Sequence, residues 1–69
     1  MTLFSYIITL KDAKSKKLQK LLKRLEKTRD VRGHGVGHGG KNYVIWAVKD
    51  LSQLLKKMDI KFSIFKKLI

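Results

Sequence analysis

Three segments of the chain have the apolar character of β-strands. Residues 3–10 (LFSYIITL) and 43–48 (YVIWAV) are rich in aromatic and β-branched side chains, which suit the half-buried surface of a sheet. Near the C-terminus, Ile60, Phe62 and Ile64 alternate with polar residues, a spacing of two that is typical of a strand. We therefore predict three strands from these segments, the last of them at a sheet edge.

Two other segments have helical periodicity. Within residues 13–29, leucines recur at the i, i+3, i+4, i+7 spacing of one helix face: Leu18, Leu21, Leu22 and Leu25. Asp12 precedes this segment and is predicted as its N-cap, because a carboxylate can accept the free N–H groups of a first turn. The same spacing recurs in residues 51–58, with Asp50 as the predicted N-cap.

A glycine-rich stretch, VRGHGVGHGGKN, occupies residues 31–42. Because glycine adopts the left-handed geometry common after a helix, this stretch is predicted to end the first helix. Its glycines alternate with larger residues from Arg32 to Gly39, which predicts a further strand over residues 31–37. Residues 39–42 would then form the turn into the next strand, since glycine and asparagine tolerate positive φ.

The resulting order is β-α-β-β-α-β in one domain covering residues 1–69. This order predicts an α+β protein of the ferredoxin-like type, with a four-stranded antiparallel sheet and two helices on one face. The side chains expected to meet the leucines are Phe4, Tyr6, Ile8, Leu10, Val44, Trp46, Val48, Ile60, Phe62 and Ile64. The opposite face would expose Ile7, Tyr43, Ile45 and Phe65, and we expect a second copy of the chain to cover it in a homodimer.

The chain is strongly basic, with 17 Lys and Arg against 5 Asp and Glu and a formal net charge of +12. Such a charge favours polyanionic partners, of which nucleic acid is the first expectation. The absence of cysteine excludes disulfides and thiolate chemistry. The N-terminal segment MTLFSYIITL lacks the features of a secretory signal, and its apolar run is far below the roughly 20 residues that cross a bilayer. We therefore expect a cytoplasmic protein without a membrane partner.

The basic residues of the first helix lie away from the leucines and form a cationic ridge suited to phosphate contacts. The glycine-rich hairpin adds Arg32 and Lys41, and its backbone N–H groups could form an anion-binding nest. The residues predicted to contact nucleic acid are Lys16, Lys20, Lys23, Arg24, Lys27, Arg32, His34, His38 and Lys41. Aromatic side chains that could stack on bases are Tyr6, Tyr43, Trp46 and Phe65, although Trp46 is expected in the core.

His34 and His38 allow a second interpretation. On a strand they lie too far apart to share a metal ion, and no complete set of ligands accompanies them, so neither a metal nor a cofactor is expected. Either histidine could instead act as a general base beside Lys41, with Arg32 and Tyr43 nearby, in a metal-independent ribonuclease.

The principal prediction is nonetheless a nucleic-acid-binding protein that makes mainly phosphate contacts with weak sequence discrimination. Besides the ribonuclease, the alternative is a small inhibitor from a mobile element that docks on a host protein. The sequence leaves the choice between DNA and RNA open.

Overall fold

The computed structural model describes residues 2–37 and 39–68. Within them the chain forms β1 (Thr2–Thr9), α1 (Leu10–Ala13), α2 (Lys16–Lys27), β2 (Val31–Val36), β3 (Asn42–Ala47), α3 (Ser52–Lys57) and β4 (Ser63–Leu68). The strands form one sheet of order β2-β3-β1-β4, and each neighbouring pair is antiparallel. The predicted α+β class and antiparallel sheet are confirmed, whereas the described residues contain three helices and not two.

The additional helix arises because two side chains cap separate helices after β1. The Asp12 N–H donates to Thr9 Oγ1 at 3.1 Å, and the Leu18 N–H donates to Ser15 Oγ at 3.4 Å. Each bond occupies a backbone donor that has no partner in the first turn of a helix. Asp12 consequently lies inside α1, and its prediction as the N-cap of one long helix is wrong. Leu10, predicted as the end of the strand, begins α1.

The end of α2 also differs from the expectation. Thr28 is the C-cap residue, and Arg29 follows with a φ of 66°. The left-handed position is therefore occupied by an arginine, and the glycine-rich stretch begins only after the helix has ended. The Arg29 N–H donates to the Glu26 carbonyl at 3.1 Å, which satisfies one of the free carbonyls of the last turn.

The leucines of α2 and α3 enter one hydrophobic core, as their spacing predicted. Leu18, Leu22 and Leu25 of α2 are buried together with Leu55 of α3. The strands contribute the side chains of one face of the sheet to the same cluster, principally Tyr6, Ile8, Val31, Ile45 and Ala47. We call this side the helix-covered face.

The predicted orientation of β3 is wrong. In the observed register Ile45 pairs with Tyr6 and Ala47 pairs with Phe4, so these residues share the helix-covered face. Trp46, expected in the core, lies on the opposite side and is 39% exposed. YVIWAV is apolar at both alternating sets of positions, so its pattern could not show which set points inward.

We call the opposite side of the sheet the open face. Its members are the residues of the alternate set on each strand, and they are Leu3, Ser5, Ile7, Thr9, Gly33, Gly35, Asn42, Val44, Trp46, Ser63, Phe65 and Lys67. Of the residues predicted to be exposed here, Ile7 and Phe65 are present. Tyr43 and Ile45 belong to the helix-covered face instead.

The C-terminal part of the chain follows the predicted order with different boundaries. Asp50 precedes α3 and accepts the Ser52 N–H at 2.9 Å, although the N-cap position itself is Leu51. Ile60 was predicted in the last strand, but its N–H donates to the Leu55 carbonyl at 3.0 Å. Ile60 is thus buried beside α3, and β4 begins only at Ser63. In the part of the chain described above, no helix combines the length and apolar character needed to cross a membrane.

Candidate nucleic-acid interface

The basic residues of α2 form one continuous surface, which we call the basic ridge. Its members are all exposed, and they are Lys16, Lys17, Lys20, Lys23, Arg24 and Lys27. At 100° per residue they fall within an arc of about 120° on the side away from the leucines. A 12-residue helix is about 18 Å long, so the ridge presents six cations on a rigid support of that length.

These cations are not neutralised by neighbouring acids. Over residues 2–37 and 39–68, the single ion pair within 4.0 Å joins His34 to Glu26, and no lysine or arginine has a carboxylate partner. Glu26 is also the one acidic residue of α2, and it is occupied by the histidine. The field of the ridge therefore extends into solvent with little internal compensation.

His34 lies on the helix-covered face and is held on both sides of its ring. Nε2 is bonded to Glu26 of α2, and Nδ1 is bonded to the Tyr43 hydroxyl of β3. Because a carboxylate only accepts, a neutral imidazole satisfies both contacts when Nε2–H donates to Glu26 and Nδ1 accepts from Tyr43. The His34 side chain is only 19% exposed. Both nitrogens are thus engaged by side chains within the fold.

The contact with Glu26 was not predicted from the sequence, which indicated Arg32, Lys41 and Tyr43 as the neighbours of His34. Glu26 lies eight positions before His34 and is brought to it by the packing of α2 against β2. A salt-bridge partner on another secondary-structure element cannot be recognised from the spacing of residues along the chain. His38, predicted to bind nucleic acid or act in catalysis, lies outside the described residues.

The hairpin places its two predicted cations at opposite ends. Arg32 is exposed at the start of β2, beside a register shift between Val31 and Gly33. Lys41 is exposed immediately before β3. Arg32 follows the C-terminal end of α2 closely in the chain. Lys41 is separated from Arg32 by the length of β2, which is about 20 Å for a six-residue strand.

The glycines of the hairpin serve its turn. The Gly37 N–H donates to the Asn42 carbonyl at 2.7 Å, and the Gly40 N–H donates to the Gly37 carbonyl at 3.0 Å. Gly39 and Gly40 have φ values of 92° and 71°, which only glycine adopts readily. Two of the amides expected in an anion-binding nest are therefore used by the turn itself.

A groove beside the basic ridge separates α2 from α3. It has a volume of about 330 Å³ and a floor of apolar side chains, Leu21, Leu54 and Met58. Its rim is basic, with Lys17, Lys20, Arg24 and Lys57. The groove thus broadens the cationic surface from one helix to two.

A hydrogen-bond network under the helix-covered face connects β1 to the start of α3. The buried Tyr6 hydroxyl donates to Asp50 Oδ1 at 2.9 Å and accepts the Leu51 N–H at 2.6 Å. Hydrogen bonds from Ser52, and then from Tyr6, lower the pKa of Asp50 to about 2. Burial raises the pKa of Tyr6. This contact could not be predicted from local spacing, because its partners are 44 and 45 positions apart.

Among the described histidine, aspartate and glutamate side chains, no group of three could hold a metal ion. No protein-family model, curated protein or solved structure shows a significant similarity to this chain.

Proposed function

We propose that the protein binds nucleic acid, chiefly through contacts between the basic ridge and phosphate groups. The observation that carries this proposal is that no lysine or arginine in the described part of the chain has a carboxylate oxygen within 4.0 Å. A cation already paired with an acid has little to gain from a phosphate, whereas an unpaired one releases counterions from the nucleic acid when it binds.

Weak sequence discrimination follows from the same arrangement. Most of the ridge consists of lysines, which act as flexible point charges and carry no fixed hydrogen-bond pattern. Phosphate contacts position a protein on nucleic acid but do not read the bases. The ridge therefore supports binding to many sequences.

The salt dependence of binding tests the proposal. In the variant Lys20→Gln, Lys23→Gln, Lys27→Gln, the slope of log affinity against log salt should fall by about 2 to 3, at 0.7 to 0.9 for each lost phosphate contact. A matched variant removes three exposed lysines elsewhere, Lys11→Gln, Lys49→Gln, Lys56→Gln, with the same change in net charge.

The matched variant should change the slope by less than 1. Equal losses in the two variants would show that net charge alone attracts nucleic acid and would contradict the role of the ridge. Undetectable binding of DNA and RNA at low salt would overturn the proposed function.

We further propose that the fold is ferredoxin-like. Two connections support this: β1 and β2 are joined through α1 and α2 with β3 between them in the sheet, and β3 and β4 are joined through α3 with β1 between them. Each is a split β-α-β unit. The cytoplasmic location and the homodimer remain predictions of the sequence.

A further inference from the structure

We propose that the open face binds single-stranded nucleic acid, with bases stacked on Trp46 and Phe65. This inference rests on the proposed function and names the form of nucleic acid that one surface recognises. Trp46 is 39% exposed and Phe65 is 58% exposed. The two rings lie on the side of the sheet that no helix covers.

The register of the strands aligns these two rings. In one row across the sheet, Gly33 pairs with Trp46, Trp46 pairs with Ser5, and Ser5 pairs with Phe65. Neighbouring strands lie about 4.8 Å apart, so the backbone positions of Trp46 and Phe65 are separated by about 10 Å. The small Ser5 side chain leaves the space between the rings open and provides a hydroxyl that can donate to or accept from a base edge.

The glycines of β2 keep the face flat beside Trp46. A Cβ atom at Gly33 would lie 3.7 Å from Trp46 Cε3, so the indole rests in ordinary contact above this glycine. A Cβ atom at Gly35 would have no heavy atom within 4 Å. The outer side of β2 therefore carries no side chain at either position, and the indole lies beside Gly33 without a neighbouring β2 side chain that would limit access to it.

A cleft adjoins the open face at the end of β1. It has a volume of about 330 Å³, and its lining combines the polar residues Thr9, Asn42, Lys61 and Ser63 with the apolar Ile7, Ile8 and Phe62. An asparagine amide can donate to and accept from a base edge, and a lysine beside the cleft can contact a phosphate. Stacking surfaces and polar groups thus adjoin on the same side of the sheet.

The chemistry of this face favours a single strand over a second copy of the chain. Two copies facing each other would each bring a net charge of +12, which repels the partner, whereas a polyanion is attracted. Serines, glycines and Lys67 also interrupt the apolar residues. A duplex keeps its bases paired and stacked inside, so only an unpaired strand offers bases to Trp46 and Phe65.

Because the chain contains one tryptophan, fluorescence reports directly on this face. Titration with a single-stranded oligonucleotide of about 12 nucleotides, as oligo(dT) and as oligo(U), should quench Trp46. A duplex of the same length should leave the emission unchanged while still binding through the basic ridge.

Fluorescence anisotropy of labelled oligonucleotides then compares the variants. Trp46→Ala should weaken single-strand binding by about five- to 150-fold, the range for loss of one stacked base, and leave duplex binding unchanged. Trp46→Phe, which keeps an aromatic ring, should retain most of the affinity. Leu68→Ala removes another exposed apolar side chain, 82% exposed, at a β4 position outside the open face, and it should have no effect.

This inference would be overturned if Trp46→Ala bound both single strands with wild-type affinity. If duplex binding still depended on the basic ridge in that case, the proposed function would stand. Failure of single strands and duplex alike to bind at low salt would reject both proposals. Sedimentation showing a dimer that Trp46→Ala dissociates would assign the open face to a second copy and also overturn the inference.

Discussion

The two faces of the sheet consist of the same strands but have opposite properties. On the helix-covered face, Tyr6 and Ile45 are fully buried, and the helix above them carries the basic ridge on its outer side. On the open face, Trp46 and Phe65 are exposed, and the glycines of β2 add no side chain beside Trp46. Charge and aromatic surface, both suited to nucleic acid, are therefore presented on opposite sides of the sheet.

The largest expected effect is a difference in the free energy of unfolding between substitutions on the two faces of the sheet. Ile45→Ala removes a side chain with no exposed area and should lower the free energy of unfolding by about 2 to 5 kcal/mol. Trp46→Ala, at the next position, should cost less, about 1 to 2 kcal/mol, because Trp46 is 39% exposed and its removal leaves no closed cavity. Urea denaturation followed by circular dichroism measures both, and similar losses would contradict the assignment of the faces.

A second comparison uses adjacent residues of β2. His34→Ala removes the contacts to Glu26 and Tyr43 and should lower the free energy of unfolding by about 1 to 2 kcal/mol. Gly35→Ala adds a methyl group where no atom lies within 4 Å and should raise stability by about 0.5 kcal/mol, because glycine is unfavourable within a strand. Thermal and urea denaturation measure both variants. A larger loss of stability in Gly35→Ala than in His34→Ala would contradict this comparison.

Lowering the pH should weaken the hydrogen bonds that Asp50 accepts from Tyr6 and Ser52. The pKa of Asp50 is about 2 in the folded chain against an ordinary value of 3.8. A lowered folded pKa means that the contribution of Asp50 is fully present above the unfolded pKa and is lost as the pH falls from about 4 to about 2. Asp50→Asn should be less sensitive to this pH range in urea denaturation. An identical acid profile in both proteins would refute the contribution of Asp50.

The smallest expected effect concerns repulsion along the basic ridge. Lys23→Gln should raise the free energy of unfolding by a few tenths of a kcal/mol at low salt, since it removes one of several unpaired like charges. The gain should disappear near 1 M salt, where the screening length is about 3 Å. Lys67→Gln, on the open face and outside the ridge, is the control, and an equal gain there would show no special repulsion within the ridge.

The ridge could be predicted because helical spacing is local. The leucines of α2 determine which side faces the core, and the lysines and Arg24 then occupy the other side. By contrast, the position of Trp46 could not be predicted. Its strand is apolar on both sides, and only pairing with β1 shows which side the helices cover. The same limit explains the misplaced Tyr43 and Ile45.

The histidine site shows a similar division. Glycine alternation correctly predicted a strand containing His34, with bounds of Val31–Val36 in the structure. The contact of His34 with Glu26 depends on how α2 lies across β2, and the contact with Tyr43 depends on the hairpin register. Neither relation can be obtained from spacing along the chain.

The α+β class, the periodicity of the helices, the excess of positive charge and the side of α2 on which that charge lies could all be predicted from the sequence. These properties follow from local backbone geometry and from composition. The packing of the described residues was needed to show that none of their lysines or arginines has a carboxylate within 4.0 Å, that His34 is held between Glu26 and Tyr43, and that Trp46 and Phe65 share an open face. Each of those properties depends on which distant segments pair and pack, because strand register and helix docking are selected by the whole core at once.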